Sequence, residues 1–128
     1  MSLILLIEDS PGLLEVYTQI IEQMGHRVIA AGDGVEGLAL ARRHHPDLVV
    51  TDWQLPRLSG VELSKRMRQS AELRSIPILL QSSSPDPHCP WVSMFLSKNS
   101  SREELERGIA RLLASLESGG VETCEMAL

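Results

Sequence analysis

Glutamate, aspartate, serine and lysine recur in this chain at one kind of place, the end of a short apolar run. Leu3–Ile7 stops at Glu8 and Asp9, and Leu48–Thr51 stops at Asp52. Ile76–Leu80 stops at Gln81 and Ser82, and Met94–Ser97 stops at Lys98. Crowded carboxylates raise one another's pKa unless a cation sits among them. Oxygen ligands without nitrogen or sulfur suit a hard divalent ion, Mg²⁺ or its close substitute Mn²⁺. Such an ion neutralises the charge of a phosphoryl group and orients it. A carboxylate in that setting can be the nucleophile and form an acyl phosphate. A lysine supplies a point charge to one phosphoryl oxygen, and a serine hydroxyl donates to another.

This chemistry needs the four runs to end at one edge. Short continuous apolar runs read as buried parallel strands, and an open α/β sheet places its ligand site beyond the carboxyl ends of its strands. The intervening segments have helical spacing. Ser10 and Pro11 form an N-cap and first helical position ahead of Leu13, Leu14, Val16, Tyr17, Ile20, Ile21 and Met24, and Gly25 is a stop signal. His26–Ala31 reads as a second strand, and Val35, Leu38, Ala39 and Ala41 as a helix that must end before Pro46. A third helix runs from Gly60 to about Ser70, followed by a strand over Ile76–Gln81. The last helix opens with capping residues and first-turn acids, Asn99–Glu104, and has Leu105, Ile109, Leu112, Leu113 and Leu116 on one face. Strands interleaved with helices predict a doubly wound five-stranded parallel α/β sheet with right-handed crossovers.

The pattern breaks once. Pro85, Pro87 and Pro90 fall within the segment between Ser82 and the last strand, and prolines this close block a regular helix. An irregular loop or single turn is expected there, with Trp91 covering the apolar gap. The 128 residues make one domain, expected over 1–117, and the aperiodic stretch 118–128, which opens with two glycines, reads as a frayed tail. The formal net charge of −5 gives no electrostatic case for nucleic acid or an anionic membrane surface. No apolar run approaches the ~20 residues of a membrane span, and no basic leader precedes an apolar segment. Two cysteines, Cys89 and Cys124, are too few for a disulfide framework, so a reducing cytoplasm is the expected location. His44–His45 reads as helix capping and Cys89 as a passive thiol.

Taken in order, Ile7–Pro11, Pro46–Asp52, Leu55–Pro56 with Gly60, Ile76–Ile78 leading to Ser82, and Phe95–Lys98 resemble the receiver domain of bacterial two-component response regulators, the chemotaxis regulators among them. The resemblance covers about Leu3 to Leu116. It implies the flavodoxin-like strand order 2-1-3-4-5 and a phosphoacceptor signalling role in a phosphorelay. Asp52 would be the acceptor, with the phosphoryl group supplied by a sensor histidine kinase or a phosphotransfer protein. Asp9 would bind Mg²⁺ directly, Glu8 as its neighbour, and the Gln54 backbone carbonyl would be a further ligand. Ser82 would be the switch hydroxyl, with Ser83 the alternative one residue on, Lys98 the phosphate-contacting lysine and Phe95 the switch aromatic. The domain would catalyse at most its own phosphorylation and dephosphorylation.

Two departures stand out. Asn99 replaces the proline that usually follows the lysine, and the segment between Ser82 and Lys98 is several residues shorter than is typical of the family, whose fourth helix lies in that segment and belongs to its usual output face. Two other readings compete. A degenerate receiver that binds partners without phosphorylation would not need Asp52, Asp9 and Lys98 together. A phosphatase of the haloacid-dehalogenase type wants a general acid two residues after its nucleophile, where this chain has Gln54, and has no room here for a cap domain.

Overall fold

A computed structural model describes the backbone of residues 1–117 and the side chains through Ser115. The expected tail over 118–128 and the side chain of Leu116 lie outside the described residues. The elements are β1 (Leu3–Ile7), α1 (Pro11–Gln23), β2 (Arg27–Ala31), α2 (Gly34–His44), β3 (Leu48–Asp52), α3 (Gly60–Arg68), β4 (Ile78–Ser82), β5 (Met94–Ser97) and α4 (Arg102–Glu117). The five strands form one sheet in the order β2-β1-β3-β4-β5, and every pair is parallel.

Helices cover both faces. Ile4, Leu6, Leu48, Val50 and Leu79 pack with Ile20 and Ile21 of α1 and Leu105, Ile109, Leu112 and Leu113 of α4. Leu5, Ile7, Val49 and Ile78 pack with Leu38 and Ala41 of α2 and Leu63 and Met67 of α3. Strands β3 and β4 are buried throughout, as their continuous apolar runs require. Each fully buried Leu or Ile contributes ~1.5–3 kcal/mol of apolar transfer.

Local signals set the helix ends. Ser10 accepts from the Leu13 N–H at 3.5 Å, with Pro11 at the first position. Asp33 caps α2 through the Glu36 N–H at 2.8 Å, and Ser59 caps α3 through the Glu62 N–H at 3.1 Å. Ser101 and Glu104 form a reciprocal capping box at α4, at 2.9 and 3.1 Å. Helix α2 stops at His45, which takes a left-handed φ of 46° ahead of Pro46.

Several boundaries differ from the sequence reading. β4 begins at Ile78, since Pro77 has no N–H for the ladder and the Ile76 N–H turns back to Leu73. It runs through Ser82, which pairs with Ser97. β2 starts at Arg27, because the His26 N–H closes onto Ile21. Helix α3 stops at Arg68, with Gln69 as its cap.

Between β4 and β5 there is no helix. Residues 83–93 form an irregular strap with a single turn at Pro90–Trp91, as the prolines dictate. Trp91 is half-buried there, with the Lys65 ammonium 5.7 Å from its ring centroid. No helix among the described residues is long and apolar enough to cross a membrane.

Candidate functional site

The ends of β1, β3, β4 and β5 meet at one edge, as the parallel sheet requires. Glu8 follows β1, with 3% of its surface exposed, and Asp52 ends β3 with 7%. Asp9 is exposed beside them. One carboxylate oxygen from each of Glu8, Asp9 and Asp52 lies within 4.8 Å of the others. From the far edge of the sheet, Lys98 Nζ donates to Glu8 Oε1 and to Asp52 Oδ2, both at 3.0 Å.

The electrostatics follow from burial. Loss of solvation raises the Glu8 pKa, opposed by the Ser10 N–H, which donates to Glu8 Oε2 at 3.1 Å, and by Lys98. For Lys98, burial alone would lower the pKa. The hydrogen bonds and charges of Asp52 and Glu8 overcome that and hold the ammonium above its ordinary range. Lys98 thus compensates two buried acids at once. The donor set is all carboxylate, which is the chemistry of a hard divalent ion. The exposed Asp9 would leave such an ion open to solvent on one side.

Ser82 is buried at the end of β4, whereas Ser83 is exposed. Its carbonyl accepts from the Lys98 backbone N–H at 3.0 Å, and its hydroxyl accepts from the Ser84 N–H at 3.0 Å. Gln54 is exposed in the loop after β3, and its amide donates to Ser84 Oγ at 3.4 Å. Phe95 is half-buried in β5. All seven candidate residues therefore lie at this end of the sheet or on the strands and loops that frame it.

Helix α3 is seated directly on the end of β3. The Gly60 N–H donates to the Trp53 carbonyl at 2.8 Å, and a Cβ at Gly60 would stand 2.2 Å from the Asp52 carbonyl oxygen. Only glycine permits that approach. Thr51 Oγ1 donates to the same carbonyl at 2.9 Å.

Three further residues bear on the site and were not singled out from the sequence. Tyr17 of α1 faces the buried Gln81 side chain, and burial raises its phenol pKa. Arg68, at the end of α3, is tied by four hydrogen bonds to the strap and to the loop before β4. For Tyr17 and Arg68 the sequence shows only a helix-face aromatic and a last-turn base, both ordinary features. Gln81 carries a visible signal, a polar residue inside a buried strand.

Comparison with known proteins gives the same picture. The sequence matches the response regulator receiver domain over residues 4–110. The chain belongs to that family. Receiver domains are the phosphoacceptor signalling modules of two-component systems and bind Mg²⁺ in their acidic site. This receiver is 40% identical to the polar-differentiation response regulator DivK of Brucella ovis over 76 residues, 59% of the chain and 62% of that relative. The match thus spans less than two thirds of DivK. Among solved structures, the receiver domain of a signal transduction histidine kinase from Syntrophus aciditrophicus superposes with a TM-score of 0.84 at 27% identity, covering 90% of this chain and 92% of that one. The receiver domain of a sensor histidine kinase from Pseudomonas aeruginosa PAO1, whose active site cleft coordinates a magnesium ion, gives 0.82 at 28% identity over 89% and 98%.

Proposed function

We propose that Asp52 is the phosphoacceptor of this receiver. The observation that carries the reading is Lys98 Nζ, held 3.0 Å from both Asp52 Oδ2 and Glu8 Oε1 across the sheet edge. An Asp52 carboxylate oxygen attacks phosphorus, a P–O bond forms, and the P–N bond to the donor's imidazole breaks. The imidazole leaves with the electron pair and takes up a proton. The donor is a sensor histidine kinase or a phosphotransfer protein. Lys98 shifts a hydrogen bond onto a phosphoryl oxygen, and the Ser82 hydroxyl donates to another. Glu8, Asp9, Asp52 and the Gln54 carbonyl would hold Mg²⁺, which when bound supplies charge neutralisation to the incoming phosphoryl group.

The switch runs from Ser82 into the strap and to Phe95. Without a helix in the strap, the output face differs from the family's common dimer surface, and the target is a protein partner. The setting is cytoplasmic. The test is incubation with a small phosphodonor and Mg²⁺, followed by intact mass measurement. A hydroxylamine-labile gain of one phosphoryl group is expected in the wild type and none in Asp52→Ala. Equal labelling of Asp52→Ala would move the acceptor elsewhere.

A further inference from the structure

Lys98 is carried by a weak element. β5 has only four residues, all half-buried, and among the described residues it stands at the edge of the sheet, paired on one side only. A slip of one residue along β4 would move Lys98 by ~3.3 Å and turn its side chain to the other face. The part of the strap ahead of Trp91 contributes little to its register. Between Pro85 and Pro90 its bonds are few and local: the His88 N–H donates to Asp86 at 2.8 Å and the Cys89 carbonyl accepts from the Val92 N–H at 3.4 Å.

The register is set where the strap ends. The Ser93 N–H donates to the Ile78 carbonyl at 2.8 Å, and the Ile78 N–H donates to Ser93 Oγ at 3.0 Å. Arg68 fixes this pair from α3. Its Nε donates to the Trp91 carbonyl at 2.9 Å and its Nη2 to Ser93 Oγ at 3.4 Å. Its Nη1 donates to the carbonyls of Arg74 at 3.0 Å and Ile76 at 2.7 Å, which lead into β4. Among the described residues this guanidinium has no carboxylate partner. Its rigid fork of donors is spent on backbone and one hydroxyl. Both sides of the start of the β4–β5 ladder are therefore gripped by one side chain.

That side chain is rigidly linked to the acceptor. Helix α3 starts at Gly60, against the Asp52 carbonyl, and ends at Arg68. Its nine residues span ~13 Å from the carboxyl edge of the sheet to the other edge. The four residues of β5 cover ~13 Å on the way back to Lys98. The path closes through the bond between Lys98 and Asp52.

We infer that Arg68 is a positioning residue for phosphoryl transfer: by fixing the β4–β5 register at Trp91, Ser93 and Ile76, it sets where Lys98 stands against Asp52. This rests on the proposed role of Asp52 and Lys98, and Arg68 itself touches neither.

Arg68→Gln and Ser93→Ala test it, each made with Lys98 intact and with Lys98→Ala. Hydrogen exchange of the Ser93 and Lys98 amides, which bracket the ladder, reads the register without any phosphorylation. Both variants should lose protection there while β1 and β3 keep theirs. The rate of labelling by a small phosphodonor should fall by one to two orders of magnitude for Arg68→Gln, less for Arg68→Lys, and should be insensitive to Arg68 once Lys98 is alanine. An equal fold-loss in both backgrounds, protection lost uniformly over all strands, or no change in either readout would overturn the inference. Should Arg68→Gln fail to fold, Ser93→Ala carries the same comparison. A wild type that takes up no phosphoryl group would refute Asp52 as acceptor, and the exchange pattern would then decide the register claim alone.

Discussion

Replacing Lys98 by methionine keeps the length of the stem and removes the ammonium that two buried carboxylates share. Its cost in metal-free buffer can be bounded from the structure. With Lys98 gone, Glu8 and Asp52 face each other nearly dry, and the cheapest escape is for Glu8 to fold as the neutral acid. Its ordinary pKa is 4.5, so forcing it neutral at pH 7 costs 2.5 pH units at 1.36 kcal/mol each, a ceiling of roughly 3.4 kcal/mol. Glu8 already carries a raised pKa in the native protein, so the net loss should be smaller, about 2–3 kcal/mol. The sign follows from linkage. A carboxyl group whose folded pKa is raised binds protons better in the native state, so stability is retained below about 4.5 and lost as pH rises through the folded value. At pH 5 the same ceiling is only about 0.7 kcal/mol. Urea denaturation measures both. With a slope of ~1.5 kcal/mol/M, Lys98→Met should lower the midpoint by ~1–2 M at pH 7 and by under ~0.5 M at pH 5. Mg²⁺ should recover more stability in the variant than in the wild type, because no ammonium repels it and ligand binding adds to folding free energy. An equal loss at both pH values with no extra Mg²⁺ effect would show that Lys98 contributes packing alone.

Two further perturbations probe the same edge. Glu8→Gln removes the acid whose ionisation opposes folding, so in metal-free buffer its urea midpoint at pH 7 should exceed that of the wild type, the gain closing as pH falls toward 4.5; a lower midpoint at pH 7 would contradict the burial argument. Gly60→Ala puts a methyl group 2.2 Å from the Asp52 carbonyl oxygen and 2.9 Å from Leu80 Cδ1. Relief requires α3 to move, at a cost of about 1–3 kcal/mol, and a variant as stable as the wild type with unchanged phosphorylation would mean the helix is not seated on Asp52.

How much of this was legible beforehand depends on where each signal is stored. The strand ends could be read because a buried parallel strand is a continuous apolar run, so its polar terminus marks the functional edge. Glu8, Asp9, Asp52, Ser82 and Lys98 were picked out as candidates that way and the sheet brings them to one edge, and the family resemblance added Gln54 and Phe95. Caps at Ser10 and Ser101 were local and equally plain. The start of β4 was missed because Ile76 and Pro77 are as apolar as the strand, and only the missing proline donor and the bond from Ile76 to Leu73 separate them.

Arg68 could not be read because its partners are carbonyls at Arg74, Ile76 and Trp91. Every residue type supplies a carbonyl, so no spacing rule encodes such acceptors. The prolines of the strap were visible and correctly forbade a helix. They could not say what takes the helix's place. One guanidinium performs part of that work, gathering the loop before β4 and the end of the strap onto α3. The same prolines that remove a packing element make its replacement a hydrogen-bonded one, since a strap with few local bonds must be held by donors from outside. The position of Lys98, the most specific feature of the site, thus depends on a residue at the opposite edge of the sheet.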